Sequence, residues 1–176
     1  MKSIFILLLF ISLAPVTSWA QTPVSKAQAQ KFYEACATNR DERMSTKTQD
    51  AFCQCSARGY YKHITQEDLT DLRTDDQRQR NAMNKLALEL YAPCMEHPIR
   101  DMVYNKCTKD AYQAGQKICR CMATKMANYT ATRAQAELAT ILKNNPNVSD
   151  PLHAITHSKA YEAQEKRIVM QCIQGK

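Results

Sequence analysis

The sequence predicts an all-α fold, a disulfide-stapled helical bundle built from two tandem repeats. Glycine is rare, with three among 176 residues, and no stretch alternates apolar and polar residues long enough to indicate a strand. Helix-capping patterns recur along the chain. All eight cysteines fall into two sets that share the order C, CxC, C. These observations together favour helices that are cross-linked in two similar units.

Residues 1–20 have the features of a secretory signal peptide. Lys2 precedes an apolar run, and Ser18-Trp19-Ala20 supplies a small-x-small cleavage site. The apolar run is shorter than the roughly 20 residues that a helix needs to cross a bilayer. We therefore expect an exported mature protein, periplasmic or extracellular, that begins at Gln21 and has no membrane span.

The mature chain divides into a first helical Cys repeat, residues 21–97, and a second, residues 98–176. The boundary lies near residues 95–98 and is short. It has no Gly/Ser-rich or Pro-rich linker of the kind that separates independent domains. We therefore expect the two repeats to pack together as one body.

The first repeat predicts four helices from its N-terminal capping signals. In a capping box, the cap side chain and the side chain three residues later each accept a hydrogen bond from the other's backbone N–H. Two signals fit this box and the third is a looser form: Ser25-x-x-Gln28, Thr46-x-x-Gln49 and Thr65-x-x-Asp68. The predicted helices are 25–39, 47–63, 66–74 and 76–92.

The second repeat predicts four more helices and one long loop. Pro98 and Pro151 suit the first position of a helix, where a proline loses no hydrogen bond. Residues 144–151 form the loop, and Ser149 or Asp150 is expected to cap the last helix. The loop has no counterpart in the first repeat, and such insertions often carry function. The predicted helices are 98–113, 116–129, 132–143 and 151–173.

The cysteines predict two structural disulfides in each repeat. An even number of cysteines in an exported chain indicates a disulfide framework. Cys53 and Cys55 are two residues apart, so they point about 200° apart on a helix. The CxC helix therefore lies between two neighbours, and a direct bond within CxC is hard to fit. The predicted disulfide residues are Cys36, Cys53, Cys55, Cys94, Cys107, Cys119, Cys121 and Cys172.

Two pairings satisfy this geometry in each repeat. The favoured one joins the upstream cysteine to the first cysteine of CxC, and the second cysteine of CxC to the downstream one. The crossed alternative, Cys36–Cys55 with Cys53–Cys94, stays open because sequence alone does not settle connectivity. The favoured bonds are Cys36–Cys53, Cys55–Cys94, Cys107–Cys119 and Cys121–Cys172.

Charge is distributed unevenly between the repeats. The formal net charge is +7. Residues 21–98 carry 11 basic and 11 acidic side chains, whereas residues 99–176 carry 12 basic and 6 acidic ones. The excess of basic residues predicts that the second repeat faces an anionic surface or an acidic partner. The alternative is that these residues are ordinary surface charges that keep the protein soluble. No nucleic-acid partner is expected, since no binding module is recognisable.

The CxC motifs also allow redox or copper chemistry. A redox centre needs an exposed thiolate of low pKa beside a resolving partner, whereas the outer cysteines give each CxC ordinary disulfide partners. Copper carriers use Cys, Met and His ligands, and Met122 and Met126 lie four residues apart just after Cys121. Methionines that fill gaps in a helical core give the same pattern.

His153 and His157 are spaced to share a metal ion on one helix face. The residues between them lack the glutamate of a His-Glu-x-x-His protease, and no third ligand is evident. Neither Gly-x-Ser-x-Gly nor a phosphate-binding glycine loop is present in the sequence. We therefore predict no catalytic residues, no metal and no cofactor, and keep His153, His157, Met122 and Met126 as the candidate ligands.

The sequence therefore favours an exported, non-catalytic helical binding or structural protein whose partner is unknown. The alternative is a periplasmic protein that performs thiol–disulfide exchange or handles copper through the CxC motifs. A count of free thiols together with metal analysis distinguishes the two functions.

Overall fold

The computed structural model describes residues 21–110 and 115–175 and is all-α. The predicted signal peptide, residues 1–20, lies outside the described residues. Within them, no helix combines the length and apolar character that crossing a membrane takes. The helices are α1 (Lys26–Thr38), α2 (Thr46–His63), α3 (Gln66–Asp71), α4 (Gln77–Leu86), α5 (Glu96–Asp110), α6 (Gly115–Asn144), α7 (Pro151–Thr156) and α8 (Lys159–Ile173).

Local capping signals set the start of several helices. Ser25 and Gln28 form the predicted capping box before α1, and Thr65 and Asp68 form a complete box before α3. Asp150 caps α7, so Pro151 occupies the first helical position as predicted. The side-chain oxygens satisfy backbone N–H groups that have no partner within the first turn.

The predicted box at α2 is wrong. The cap is Ser45, whose hydroxyl accepts from the Thr48 N–H, so Thr46 is already helical. Gln49 is buried, and its amide donates to the carbonyls of Cys36 and Asn39, at 2.8 Å in each case. The glutamine therefore holds the end of α1 against α2, a tertiary role that its local spacing does not reveal.

Two short turns that are not α-helical connect α4 to α5. The helix predicted for 76–92 ends as an α-helix at Leu86, and a π-helical turn, Ala87–Tyr91, and a 3₁₀ turn, Ala92–Cys94, follow it. Pro98 is the third residue of α5, so its predicted first position is wrong. The helix tolerates proline there because first-turn N–H groups have no intrahelical acceptor.

Two predicted boundaries in the second half of the chain are also wrong. The segments 116–129 and 132–143 form the single 30-residue helix α6. Thr130, between them, is buried, and its hydroxyl donates to the Met126 carbonyl at 2.8 Å, so it does not interrupt the helix. The predicted helix 151–173 divides where Ser158 caps α8 by accepting from the Tyr161 N–H.

The main core surrounds α6, which packs most extensively against α5 and also against α8 and α7. Its buried residues include Ile99, Met126, Leu138, Ile155 and Ile168. The same cluster contains Ala92 and Met95, which precede the predicted boundary at residue 97. A smaller core lies between α1, α2 and the π-helical turn and consists of Val24, Tyr60, Ile64 and Leu90.

Four disulfides connect neighbouring helices, and none of the eight cysteines is free. Each CxC helix lies between two partners: α2 bonds to α1 and to the 3₁₀ turn, and α6 bonds to α5 and to α8. The structure has the pairing that the sequence analysis favoured and does not form the crossed one. The bonds are Cys36–Cys53, Cys55–Cys94, Cys107–Cys119 and Cys121–Cys172, with Cα–Cα distances of 5.5 to 5.8 Å.

Candidate functional site

An open cavity of about 410 Å³ lies between α1, α2, the π-helical turn and the starts of α5 and α7. We call it the aromatic cleft. Its volume falls within the range of small-molecule sites, about 300–1,000 Å³, which are mostly apolar with a few polar groups. Its lining residues are Phe32, Ala35, Cys36, Asn39, Asp41, Arg43, Met44, Gln49, Phe52, Tyr91, Met95, Pro98, Asp150, Pro151 and Leu152.

Three half-buried aromatic side chains form one wall of the aromatic cleft. Phe32 stacks on Tyr60, with ring centroids 4.7 Å apart and planes inclined by 14°. Phe52 lies against Tyr91, with centroids 6.0 Å apart and an interplanar angle of 20°. Burial raises the pKa of the Tyr91 phenol, which therefore remains neutral at physiological pH. Each of the three cleft-lining rings is therefore packed against another aromatic ring.

The Cys36–Cys53 disulfide is part of the same wall. Cys36 lines the aromatic cleft and is half-buried, whereas Cys53 is fully buried behind it. This bond fixes α1 against α2, and so it also fixes the distance between Phe32 and Phe52, which the two helices carry. The disulfide therefore contributes to the shape of the cavity as well as to the stability of the fold.

A charged cluster, Asp41, Arg43 and Asp150, lines one part of the aromatic cleft, and its side chains are partly exposed to solvent. We call this part the mouth. The Arg43 guanidinium donates to Asp41 and, at 2.7 Å, to Asp150. The hydrogen bond to Asp41 is the main reason that the pKa of Arg43 is raised, and the same bond lowers the pKa of Asp41. Burial would raise the pKa of Asp150, but hydrogen bonds from the His153 N–H and Arg43 lower it overall. Both aspartates are therefore ionised partners of the one arginine at neutral pH.

The loop predicted as an insertion, residues 144–151, reaches the aromatic cleft only through its end. Asp150 is part of the mouth, and Pro151 and Leu152 also line the cleft. The rest of the loop lies along a separate depression that includes Asn145, Asn147 and Val148. The loop therefore contributes to this site through its last two residues.

Sequence reasoning missed the aromatic wall, although a signal for it was present. Phe52 immediately precedes Cys53, and Phe32 lies one helical turn before Cys36. A bond between these two cysteines brings their helices together, and the phenylalanines with them. Tyr91 and Arg43 had no comparable signal, because their positions depend on the π-helical turn and on the loop between α1 and α2.

The four candidate metal ligands do not form one site. The rings of His153 and His157 are stacked, with centroids 3.9 Å apart, and both side chains are exposed. Met126 is buried in the main core, and the Met122 sulfur lies 3.8 Å from the sulfur of Cys107, which is bonded to Cys119. Within the described ranges, no three His, Cys, Asp or Glu residues are grouped so as to hold a metal ion.

A second polar cluster, also missed from sequence, holds the start of α8. The Tyr129 hydroxyl and the Ser158 hydroxyl both donate to the Glu137 carboxylate. Burial, and then the bond to Glu137, raises the pKa of Tyr129 to about 12. Ser158 also caps α8, so its hydroxyl is already committed as both donor and acceptor. This arrangement positions a helix rather than activating a nucleophile.

Comparison with known proteins offers no functional assignment. No protein-family model, curated protein or solved structure matches the chain. The features that bear on function are therefore the geometry of the aromatic cleft and the surface of the helices.

Proposed function

We propose that this is an exported, non-catalytic binding protein whose aromatic cleft holds an apolar ligand. The observation that supports this most directly is the composition of the cleft: aromatic, methionine, proline and leucine side chains surround the cavity, and charged groups lie only at its mouth. Burying an apolar group in such a cavity is favourable by about 25 cal/mol per Å² of apolar surface removed from water.

The charged mouth favours an uncharged ligand over an anionic one. Arg43 is the only basic residue that lines the cleft among the described residues, and it already binds the carboxylates of Asp41 and Asp150. An anionic ligand would have to displace one of them. We therefore propose an uncharged aromatic or aliphatic molecule, or an apolar side chain of a partner, as the class of ligand.

The proposal of export draws on the signal-like residues 1–20 and on the disulfides, which are consistent with an oxidising compartment. The proposal of two tandem repeats draws on the bonding order, which is the same in both cysteine sets. The distance along the chain between bonded cysteines differs, at 17 and 39 residues in one set and 12 and 51 in the other. Residues 144–151, as an insertion, would supply eight of the 12 residues by which the 51-residue separation exceeds the 39-residue one.

Thiol–disulfide exchange is the second candidate, because Cys36 is accessible in the wall of the aromatic cleft. In that reaction, a partner thiolate attacks one sulfur of the Cys36–Cys53 bond and releases the other as a thiolate. Exchange predicts that one bond is reduced far more easily than the other three. For copper handling, the described residues bring no set of soft ligands together, so no observation favours it.

A cavity-filling variant tests the binding proposal. Ala35 lines the aromatic cleft, and Ala27 is an exposed residue of the same helix outside it. Wild-type mature protein is expected to bind the uncharged fluorophore N-phenyl-1-naphthylamine saturably. We expect Ala35→Trp to weaken this binding at least about 10-fold, since the indole occupies the cavity, and Ala27→Trp to leave it unchanged. The proposal would be contradicted if the wild-type protein did not bind the fluorophore saturably, or if Ala35→Trp and Ala27→Trp weakened the binding equally.

A further inference from the structure

One face of α8 is not covered by the other residues that the structure describes. Tyr161, Ile168 and Cys172 are buried on the side of α8 that packs against α6. The opposite side carries Lys159, Lys166, Met170 and Ile173, which are all exposed and recur at helical spacing, so they form one stripe along the helix. We call this stripe the outer face of α8.

The outer face of α8 has an apolar end. Met170 and Ile173 are 56% and 59% exposed, the highest values among the large hydrophobic side chains in the described part of the chain. They are three residues apart and therefore adjacent on the helix surface. Single exposed hydrophobic residues are ordinary, but two adjacent ones at the end of one stripe form a small apolar patch.

Basic residues precede this apolar patch by one helical turn. Lys166 lies on the stripe and Arg167 lies beside it, and both are exposed. Glu162 is the acidic residue at the edge of the stripe, whereas Glu165 is turned toward Lys106, with 3.6 Å between the charged atoms. The outer face therefore has a net positive charge, in the half of the chain that carries 12 basic and 6 acidic residues.

We propose that the outer face of α8 docks on an anionic phospholipid bilayer, parallel to its surface. Lys159, Lys166 and Arg167 would pair with lipid phosphates, and Met170 and Ile173 would enter the region between headgroups and acyl chains. Helices that combine a basic face with apolar side chains bind membrane interfaces in this way, and each basic residue adds to the attraction by anionic lipid. This site is separate from the aromatic cleft.

The apolar pair is what selects a bilayer over an acidic polymer. A polyanion offers charge but no apolar interior, so Met170 and Ile173 would gain nothing from contact with it. A bilayer offers both. The two kinds of partner therefore make different predictions for the removal of the apolar side chains, although they make the same prediction for the removal of the basic ones.

Vesicle binding by the full mature protein tests the proposal. At low ionic strength, we expect cosedimentation with vesicles that contain phosphatidylglycerol and much weaker cosedimentation with phosphatidylcholine alone. Lys166→Gln with Arg167→Gln is expected to lower the partition coefficient about 25-fold, from about 5-fold per basic residue. The matched control, Arg73→Gln with Arg80→Gln, removes two exposed charges from the other half of the chain and is expected to change it less than about 2-fold.

Apolar variants identify the partner. Met170→Ser with Ile173→Ser is expected to weaken vesicle binding about 10-fold and leave retention on heparin unchanged. Met83→Ser, an exposed methionine of α4, is the control and should alter neither. Unchanged vesicle binding in the Met170/Ile173 variant would overturn the bilayer proposal in favour of an acidic polymer. The assignment to α8 would be overturned if the Arg73/Arg80 control lost as much vesicle binding as the Lys166/Arg167 variant. It would also be overturned if the wild-type protein did not bind anionic vesicles.

Discussion

Arg43 connects two parts of the chain that are far apart in sequence. It pairs with Asp41 in the loop after α1 and with Asp150, 107 residues later, at the cap of α7. The Arg43 and Asp150 side chains are 41% and 43% exposed, so water and salt screen their attraction. Such a pair typically contributes less than about 1 kcal/mol to stability, and its main effect here is to fix the mouth of the aromatic cleft.

The lowered pKa of Asp150 makes the stabilising effect of the Arg43–Asp150 pair depend on pH. The folded protein holds the pKa of Asp150 below its ordinary value of 3.8. A carboxylate with a lowered pKa stabilises the folded state above its ordinary pKa, and this stabilisation is lost as the pH falls through the lowered value. The Arg43–Asp150 pair should therefore stabilise the protein at neutral pH and stop doing so in strong acid.

The variant Asp150→Asn tests this pH dependence. Asparagine is as good a helix cap as aspartate, so the variant removes the charge while it keeps the start of α7. We expect a lower urea midpoint than wild type at pH 7, and a difference that shrinks as the pH falls from 7 to below 3. Asp75→Asn, at an exposed aspartate elsewhere, is the control. A difference between Asp150→Asn and wild type that is the same at every pH would contradict the assigned role of the charge.

At the scale of single elements, the start of a helix was predictable at several local caps. Ser25 with Gln28 and Thr65 with Asp68 cap as the sequence predicts, and Asp150 is one of the two caps, Ser149 or Asp150, that the sequence allowed. Prediction failed where a distant residue decides the outcome. Gln49 does not complete the predicted capping box, because its amide hydrogens bond to carbonyls at the end of α1.

The start of α8 is a second case in which a distant residue matters. The Ser158 hydroxyl donates to Glu137, 21 residues earlier on α6, and this bond holds the cap that divides the predicted helix 151–173. In the aromatic cleft too, the side chains that depend on distant contacts were the ones that the sequence did not indicate. Its phenylalanines could be placed from the cysteine pairing, whereas Tyr91 depends on a π-helical turn that no local sequence signal indicated.

The contact between α2 and the π-helical turn depends on Gly59. A Cβ atom at this position would lie 2.9 Å from the Glu89 carbonyl oxygen and 3.4 Å from the Leu90 Cα atom. Both neighbours are backbone atoms, so neither moves without displacing the turn. The absence of a side chain at Gly59 therefore allows α2 to pack directly against the turn that carries Tyr91.

We predict that Gly59→Ala destabilises the protein by about 1–3 kcal/mol, the usual cost of overpacking. Helix propensity alone predicts the opposite, a gain of about 1 kcal/mol for replacing glycine with alanine in a helix. Urea unfolding of the variant separates the two expectations. Arg58→Ala, at the exposed neighbouring position, should change stability by less than about 0.5 kcal/mol. A Gly59→Ala variant that is more stable than wild type would show that a Cβ atom at this position fits without displacing the Glu89 carbonyl.

At the scale of the whole molecule, the two cysteine sets organise the chain in the same way. In each, a helix with a CxC motif is bonded on one side to the helix before it and on the other side to a later element. The opposed directions of the two cysteines were predictable from the helical repeat alone. The choice between direct and crossed pairing was not, because it depends on the tilt of each neighbour, which sequence spacing does not fix.

The division of charge also extends over the whole molecule. The half that supplies most of the aromatic cleft, residues 21–98, is electrically balanced. The half with α6 and α8 carries the positive excess and also supplies Asp150, Pro151 and Leu152 to the cleft. If both proposals hold, ligand binding and surface attachment use two separate sites, the aromatic cleft and the outer face of α8. Mutations in one site should then leave binding at the other unchanged, since sites without shared contacts usually behave additively.

The central claim is that each CxC motif is structural, with its two cysteines bonded to two different neighbours. Peptide mapping of the unreduced mature protein tests it most directly, together with a count of free thiols on the same sample. We predict no free thiol and four bonds, Cys36–Cys53, Cys55–Cys94, Cys107–Cys119 and Cys121–Cys172. A Cys53–Cys55 or Cys119–Cys121 bond, a bond between the two sets, or a free pair of CxC thiols would contradict it.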